Sequence, residues 1–198
     1  MKYLPTMVCV LTLYAMNAQN THKQELPYAE IPDYPEAYTP GSVVSRMIDG
    51  LGFRYYWATE KLREKDLAYR PGKDSRSVDE TLDHILGLSK VILNSAMQRP
   101  NDRSQANQEA LSFQEKRSQT LNNLEQASMV FLESDNLEDH PLVFKNSEGI
   151  TKFPFWNQIN GPIADALWHC GQIVSYRRQS GNPFPEGVNV FTGNQKKQ

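Results

Sequence analysis

Cysteine is scarce in this chain: two in 198 residues, Cys9 and Cys170. Cys9 falls in an apolar N-terminal run that reads as a removable leader, which leaves one thiol and no intramolecular disulfide. A domain of this length buries enough apolar surface to fold without one. Basic excess is absent too. Lys plus Arg number 21 against 23 for Asp plus Glu, the formal net charge is -2, and no basic block precedes Lys196-Lys197. Phosphate neutralisation needs a basic stripe, so nucleic acid is not an expected partner. No apolar run reaches the ~20 residues of a spanning helix, so no membrane span is expected after leader removal. There is no internal repeat. No heptad seam marks an interface, although helical bundles often pair, and a homodimer stays open.

What is present begins with Lys2, the apolar run from Met7 to Ala15, and the small residue Ala18 before Gln19. That layout is a secretory signal, so residues 1–18 are expected as a signal peptide and the protein as periplasmic or secreted. Cys9 lacks the Leu-x-x-Cys context of a lipoprotein. Residues 19–40 carry Pro27, Pro32, Pro35 and Pro40. Prolines at that frequency forbid a regular helix, so an extended arm is expected, with Tyr28, Tyr34 and Tyr38 as candidate anchors. Residues 41–198 are expected as the folded domain with a C-terminal tail.

Apolar periodicity predicts four long helices in that domain. The first runs from near Ser42 to about Lys65, with Val43, Met47, Leu51, Tyr55, Ala58 and Leu62 as its core stripe. Gly50 and Gly52 weaken it by roughly 1 kcal/mol each and permit close approach of a neighbour. Ser77, with Glu80 three residues on, starts the second helix as a capping box, and this helix ends before Pro100. A third spans about Ser104 to Ser134. Leu142–Phe144 and Ile150–Phe153 flank Asn146–Gly149 and read as two short strands joined by a turn. The last helix starts between Trp156 and Pro162 and stops at Ser180, before Gly181. The expected fold is all-α, a four-helix bundle with a small hairpin-like insertion between helices three and four.

The chemistry concentrates in two segments. Asp165 and His169 stand four residues apart, so both leave one face of the last helix. His84 lies in the second helix. Bundles build metal sites from facing helices, and these three residues make a two-His, one-carboxylate set. Such a set leaves a coordination position open for water or substrate, the arrangement of a catalytic centre. Zinc suits these ligand types; nickel, iron and manganese are alternatives. Spacing alone equally allows Asp165 to hydrogen-bond a neighbour and His84 to be an ordinary helix histidine. Cys170 points away from the ligand face and reads as a small buried apolar group. Trp57 and Trp168 read as core or pocket wall, and Gln172 as a polar partner near the site. Arg177 and Arg178 read as a solvated final turn. His22 and His140 fall in polar, loop-like stretches and receive no role.

Three stretches carry a family likeness: Leu67–Val78 before the second helix, Thr81-Leu-Asp-His84-Ile-Leu within it, and Ile163-Ala-Asp165-Ala-Leu-Trp-His169-Cys-Gly-Gln-Ile173 with Arg177 to Pro183 behind it. Together they resemble the DinB/YfiT-like superfamily of four-helix-bundle metalloproteins over roughly residues 41–185. Asp165 stands where that family usually has the first histidine of His-x3-His, and Trp168 replaces a frequent histidine. The resemblance implies a divalent metal at His84, Asp165 and His169, and a metal-dependent hydrolase or thiol transferase acting on an unknown small molecule. The other expectation is a non-catalytic binding or envelope-associated bundle that has lost the chemistry.

Overall fold

The structure, a computed structural model, describes residues 25–102 and 110–196. The expected signal peptide at 1–18, Cys9, His22 and the expected helix start at Ser104 lie outside them. The chain is mostly helical with a few short strands.

Helix α1 spans Pro40–Thr59. Thr39 Oγ1 accepts from Ser42 N at 3.0 Å and Ser42 Oγ accepts from Thr39 N at 2.8 Å, closing a capping box. Pro40 takes the first position, where its missing N–H is no loss. Gly41 is pressed against the carbonyls of Phe131 and Ser134. The expected stripe holds at Leu51, Tyr55, Ala58 and Leu62, while at its start Val44 and Ile48 are buried in place of Val43 and Met47. Val44, Ile48, Leu51, Tyr55 and Ala58 are buried, whereas the expected Val43 is 47% exposed. The helix also stops short of Lys65. Lys61 adopts a left-handed φ of 57°, and a short helix α2, Glu64–Leu67, starts where Asp66 Oδ2 accepts from Arg63 N at 2.8 Å.

Helix α3 covers Val78–Ala96 and starts as its motif predicts. Ser77 Oγ accepts from Glu80 N at 3.1 Å, and Glu80 Oε2 accepts from Ser77 N at 2.7 Å. Helix α4 covers Phe113–Leu132. Its start lies well beyond Ser104 because the capping box sits at Ser112 and Glu115. Strands β2 (Leu142–Asn146) and β3 (Gly149–Phe153) form the expected antiparallel hairpin, with Asn146 opposite Gly149. A short strand β1, Asn101–Asp102, adds to β2 in parallel. Helix α5 (Trp156–Gln158) passes through a π-turn at Ile159–Ile163 into α6, Ala164–Gln179. Pro162 sits in that turn, where the widened register accommodates its missing donor.

Helix α4 packs on α1 and α3, and α6 packs on both of those. The four long helices share a core that includes Ile48, Leu82, Ile85, Leu121, Leu124 and Ile173. Among the described residues no helix is long and apolar enough to cross a membrane.

Of the three candidate tyrosines, Tyr28 anchors the arm by burial and Tyr34 by its ring against the Arg46 guanidinium of α1, 4.7 Å from the centroid. Tyr28 is buried, while Tyr34 is 79% and Tyr38 99% exposed. The Tyr28 ring lies on Gly52, the close approach that this glycine permits. Trp57 Nε1 donates to Ala29 O at 3.1 Å, and Arg46 donates to Pro32 O at 2.6 Å. Near the C-terminus, β4 (Val188–Asn189) and β5 (Asn194–Gln195) form a small ribbon. Its Gly193 carbonyl accepts from Ile31 N at 2.8 Å, which ties the tail to the arm.

Two basic or titratable side chains sit differently from expectation. Arg177 is 1% exposed. Its guanidinium donates to the carbonyls of Trp57, Ala58 and Glu60, each at 3.0 Å, and so satisfies the end of α1. Burial pushes its pKa down from the usual arginine value. Arg178 does stay exposed. His140 is buried, with Nδ1 donating to Ala96 O at 3.0 Å at the end of α3 and Nε2 bonded to Ser134 Oγ at 3.0 Å.

Candidate metal centre

Ile163 at the end of the π-turn and Ala166, Cys170, Ile173 and Arg177 on α6 are buried, a stripe of alternating three- and four-residue steps. Asp165, His169 and Gln172 follow the edge of that stripe, at mutual spacings of four and three. The neighbouring helix α3 brings His84 to the same edge. The structure thus gathers all three expected ligands. His84 Nε2 lies 3.0 Å from Asp165 Oδ2, and His169 Nε2 lies 3.3 Å from Asp165 Oδ1. The two imidazoles meet edge to face, with centroids 4.7 Å apart and planes at 89°. With one ligand atom taken from each residue, all three atoms lie within 4.8 Å of one another.

The donor set fits a divalent cation. Donors held at ~2.1 Å from a shared ion stand about 3.0 Å apart in octahedral and about 3.4 Å apart in tetrahedral coordination. The His84 and His169 contacts to Asp165, at 3.0 and 3.3 Å, are of that order, one to each carboxylate oxygen. His169 adds a sharper test. Its Nδ1 lies 2.7 Å from Gln172 Oε1, and with the amide oxygen as acceptor the ring proton sits on Nδ1. That tautomer leaves Nε2 without a proton, 3.3 Å from Asp165 Oδ1. Two lone pairs at that distance repel, and a positive charge between them, proton or metal, removes the conflict.

Access differs around the cluster. The side chains of His84 and Asp165 are 31% and 39% exposed, and that of His169 is 11% exposed. The imidazole of His169 is fixed from within while the other two donors face outward. Cys170 lies on the other side of the helix edge, 2% exposed. Burial pushes its thiol up to about 12, so it stays protonated at neutral pH and offers no thiolate. Trp168 is 71% exposed and is neither core nor pocket wall; Trp57 is buried.

Sequence reasoning missed a second polar group in the interior. Asp49 on α1 is 7% exposed and its Oδ1 accepts from Tyr28 Oη at 3.1 Å and from Ser128 Oγ at 2.5 Å. Its only signal is a carboxylate one residue after Ile48, within the buried stripe. No protein-family model, curated protein or solved structure matches the chain.

Proposed function

We propose that this chain is a DinB/YfiT-like four-helix-bundle metalloprotein with a hairpin between its third and fourth long helices. On this reading it is an exported metal-dependent enzyme that uses His84, Asp165 and His169 as ligands. The observation that carries the reading is the convergence of His84, Asp165 and His169, whose ligand atoms, one from each, lie within 4.8 Å of one another; the His169–Gln172 hydrogen bond supports it.

Each residue has a distinct part. His84 and His169 supply neutral nitrogen donors, and Asp165 supplies the anionic one. Gln172 holds the imidazole of His169 in the tautomer that ligation needs. The outward face of His84 and Asp165 leaves room for water or a small substrate. A divalent ion bound there, zinc by ligand type, would supply Lewis-acid polarisation at an open position. The expected export removes the protein from cytosolic thiol cofactors, which favours hydrolysis over thiol transfer.

The second reading is a non-catalytic bundle whose side chains satisfy one another. The 3.0 Å contact between His84 and Asp165 favours it, because that pair is a complete hydrogen bond without an ion. Elemental analysis of the purified full chain and of His84→Ala separates the two. Near-stoichiometric divalent metal in the wild type, lost in the variant, supports the metalloprotein. A wild type without stoichiometric metal sinks it.

A further inference from the structure

Two of the three converging side chains, His84 and Asp165, open to solvent at one edge of α6. What borders them there decides which molecules reach an ion held between them. Trp168 stands three residues after Asp165 and four before Gln172, so on the helix surface it neighbours both. Its side chain is 71% exposed. Among the described residues its ring makes no hydrogen bond and no aromatic or cation–π contact. It walls no cavity, so it is an aromatic platform left open in water beside the ligands.

The same edge is kept low. Helices α3 and α6 run antiparallel: Tyr69, ahead of α3, donates to Gln179 at the end of α6, His84 meets Asp165 and His169, and α3 goes on to pack against the π-turn. One turn from the ligands in that direction each element carries a glycine, Gly87 three residues after His84 and Gly161 four before Asp165. A Cβ at either would meet nothing within 4 Å, and neither has a positive φ. Glycine inside a helix is unfavourable relative to alanine, and here no close approach and no backbone geometry requires it. What the two glycines do leave is open surface next to the outward ligands.

We propose that Trp168 is the specificity residue of the metal centre, its indole receiving the flat apolar group of a substrate whose polar head reaches the ion. The inference rests on the metalloprotein reading and adds a substrate class to it: small molecules that carry an aromatic or flat apolar group next to a metal-binding head. An indole face offers such a group a large contact at low cost in side-chain freedom. The bare surface at Gly87 and Gly161 leaves room for the rest of the molecule to lie along the two helices. A small aliphatic molecule reaches the ion without using the indole, and so gains nothing from it.

Isothermal titration of the zinc-loaded full chain with benzohydroxamate and acetohydroxamate tests this, because the two probes share a zinc-binding head and differ in the ring. Trp168→Ala should weaken benzohydroxamate by about threefold to tenfold, while zinc and acetohydroxamate affinities stay within about twofold of wild type. Trp168→Phe should keep most of the ring preference. The side chain is exposed, so both variants retain the core. Zinc content is read first by elemental analysis, and a wild type that holds no zinc sinks the metalloprotein reading and this inference with it. With zinc bound, a ratio of the two hydroxamate affinities unchanged in Trp168→Ala overturns the role of Trp168 alone. So does failure of both probes to bind, or a loss of zinc affinity in that variant as large as its loss of benzohydroxamate.

Discussion

Gln172 Oε1 accepts the Nδ1 proton of His169 at 2.7 Å, one helical turn from the nitrogen's own backbone. That bond selects which imidazole nitrogen is free. Gln172→Leu removes it without touching a ligand, and metal affinity should fall by about 10- to 100-fold. Competition with a chromophoric chelator measures the change. Metal-free thermal stability should move little, because Gln172 is only partly buried. Unchanged affinity would show that the amide does not orient the imidazole.

Arg177 and Arg178 are adjacent in sequence and opposite in consequence. Arg177→Met strips donors from three carbonyls at the end of α1 and from Asn182, whose O and Oδ1 it also reaches at 3.1 Å. Unpaired buried carbonyls cost about 1–3 kcal/mol each, so a total loss of ~3–5 kcal/mol is expected in urea denaturation. Arg178→Met should stay within about 0.5 kcal/mol. Comparable losses in both variants would mean the guanidinium is not what closes the helix.

The difference between those two arginines marks where the sequence is legible. A solvated and a buried arginine are one letter, and only the third dimension brings α1's carbonyls to residue 177. The capping box at Ser77 and Glu80, the hairpin around Asn146–Gly149 and the stop at Gly181 are local, and each is readable from a few neighbouring residues. The start of α4 was misplaced because polar helix formers precede Phe113 without a break in composition. Val43 was preferred to Val44, and Met47 to Ile48, because both members of each adjacent pair are apolar and periodicity alone does not choose between them. The three candidate ligands follow from spacing plus one pairing of helices. The Asp49 cluster needs three separate segments, and no periodicity connects them.

Gly50 and Gly52 separate two effects that a sequence lumps together. A Cβ at Gly50 meets only the flexible end of Arg54, at 3.3 Å. Gly50→Ala should therefore gain helix propensity and stabilise by about 0.5–1 kcal/mol. A Cβ at Gly52 collides with the Tyr28 ring. Gly52→Ala should lose ~1–3 kcal/mol of packing, more than propensity returns. The arm should also become sensitive to limited proteolysis around Tyr28. Stabilisation of both variants in thermal melts would show that the arm does not bear on α1.

Burial raises the pKa of Asp49 above its ordinary value of 3.8, while the hydrogen bonds from Ser128 and Tyr28 oppose that rise without cancelling it. The folded state therefore binds this proton more tightly than the unfolded chain does. The resulting stability is fully present below the ordinary carboxylate pKa and is lost as pH rises through the raised one. Asn carries no charge at any pH and keeps an oxygen to accept from Tyr28 and Ser128. Asp49→Asn should gain stability relative to wild type at pH 7 and show little gain, or a loss, at pH 3. Denaturation at both pH values measures the difference. A gain that is the same at the two pH values would mean that the cost at this position does not come from burying a charge.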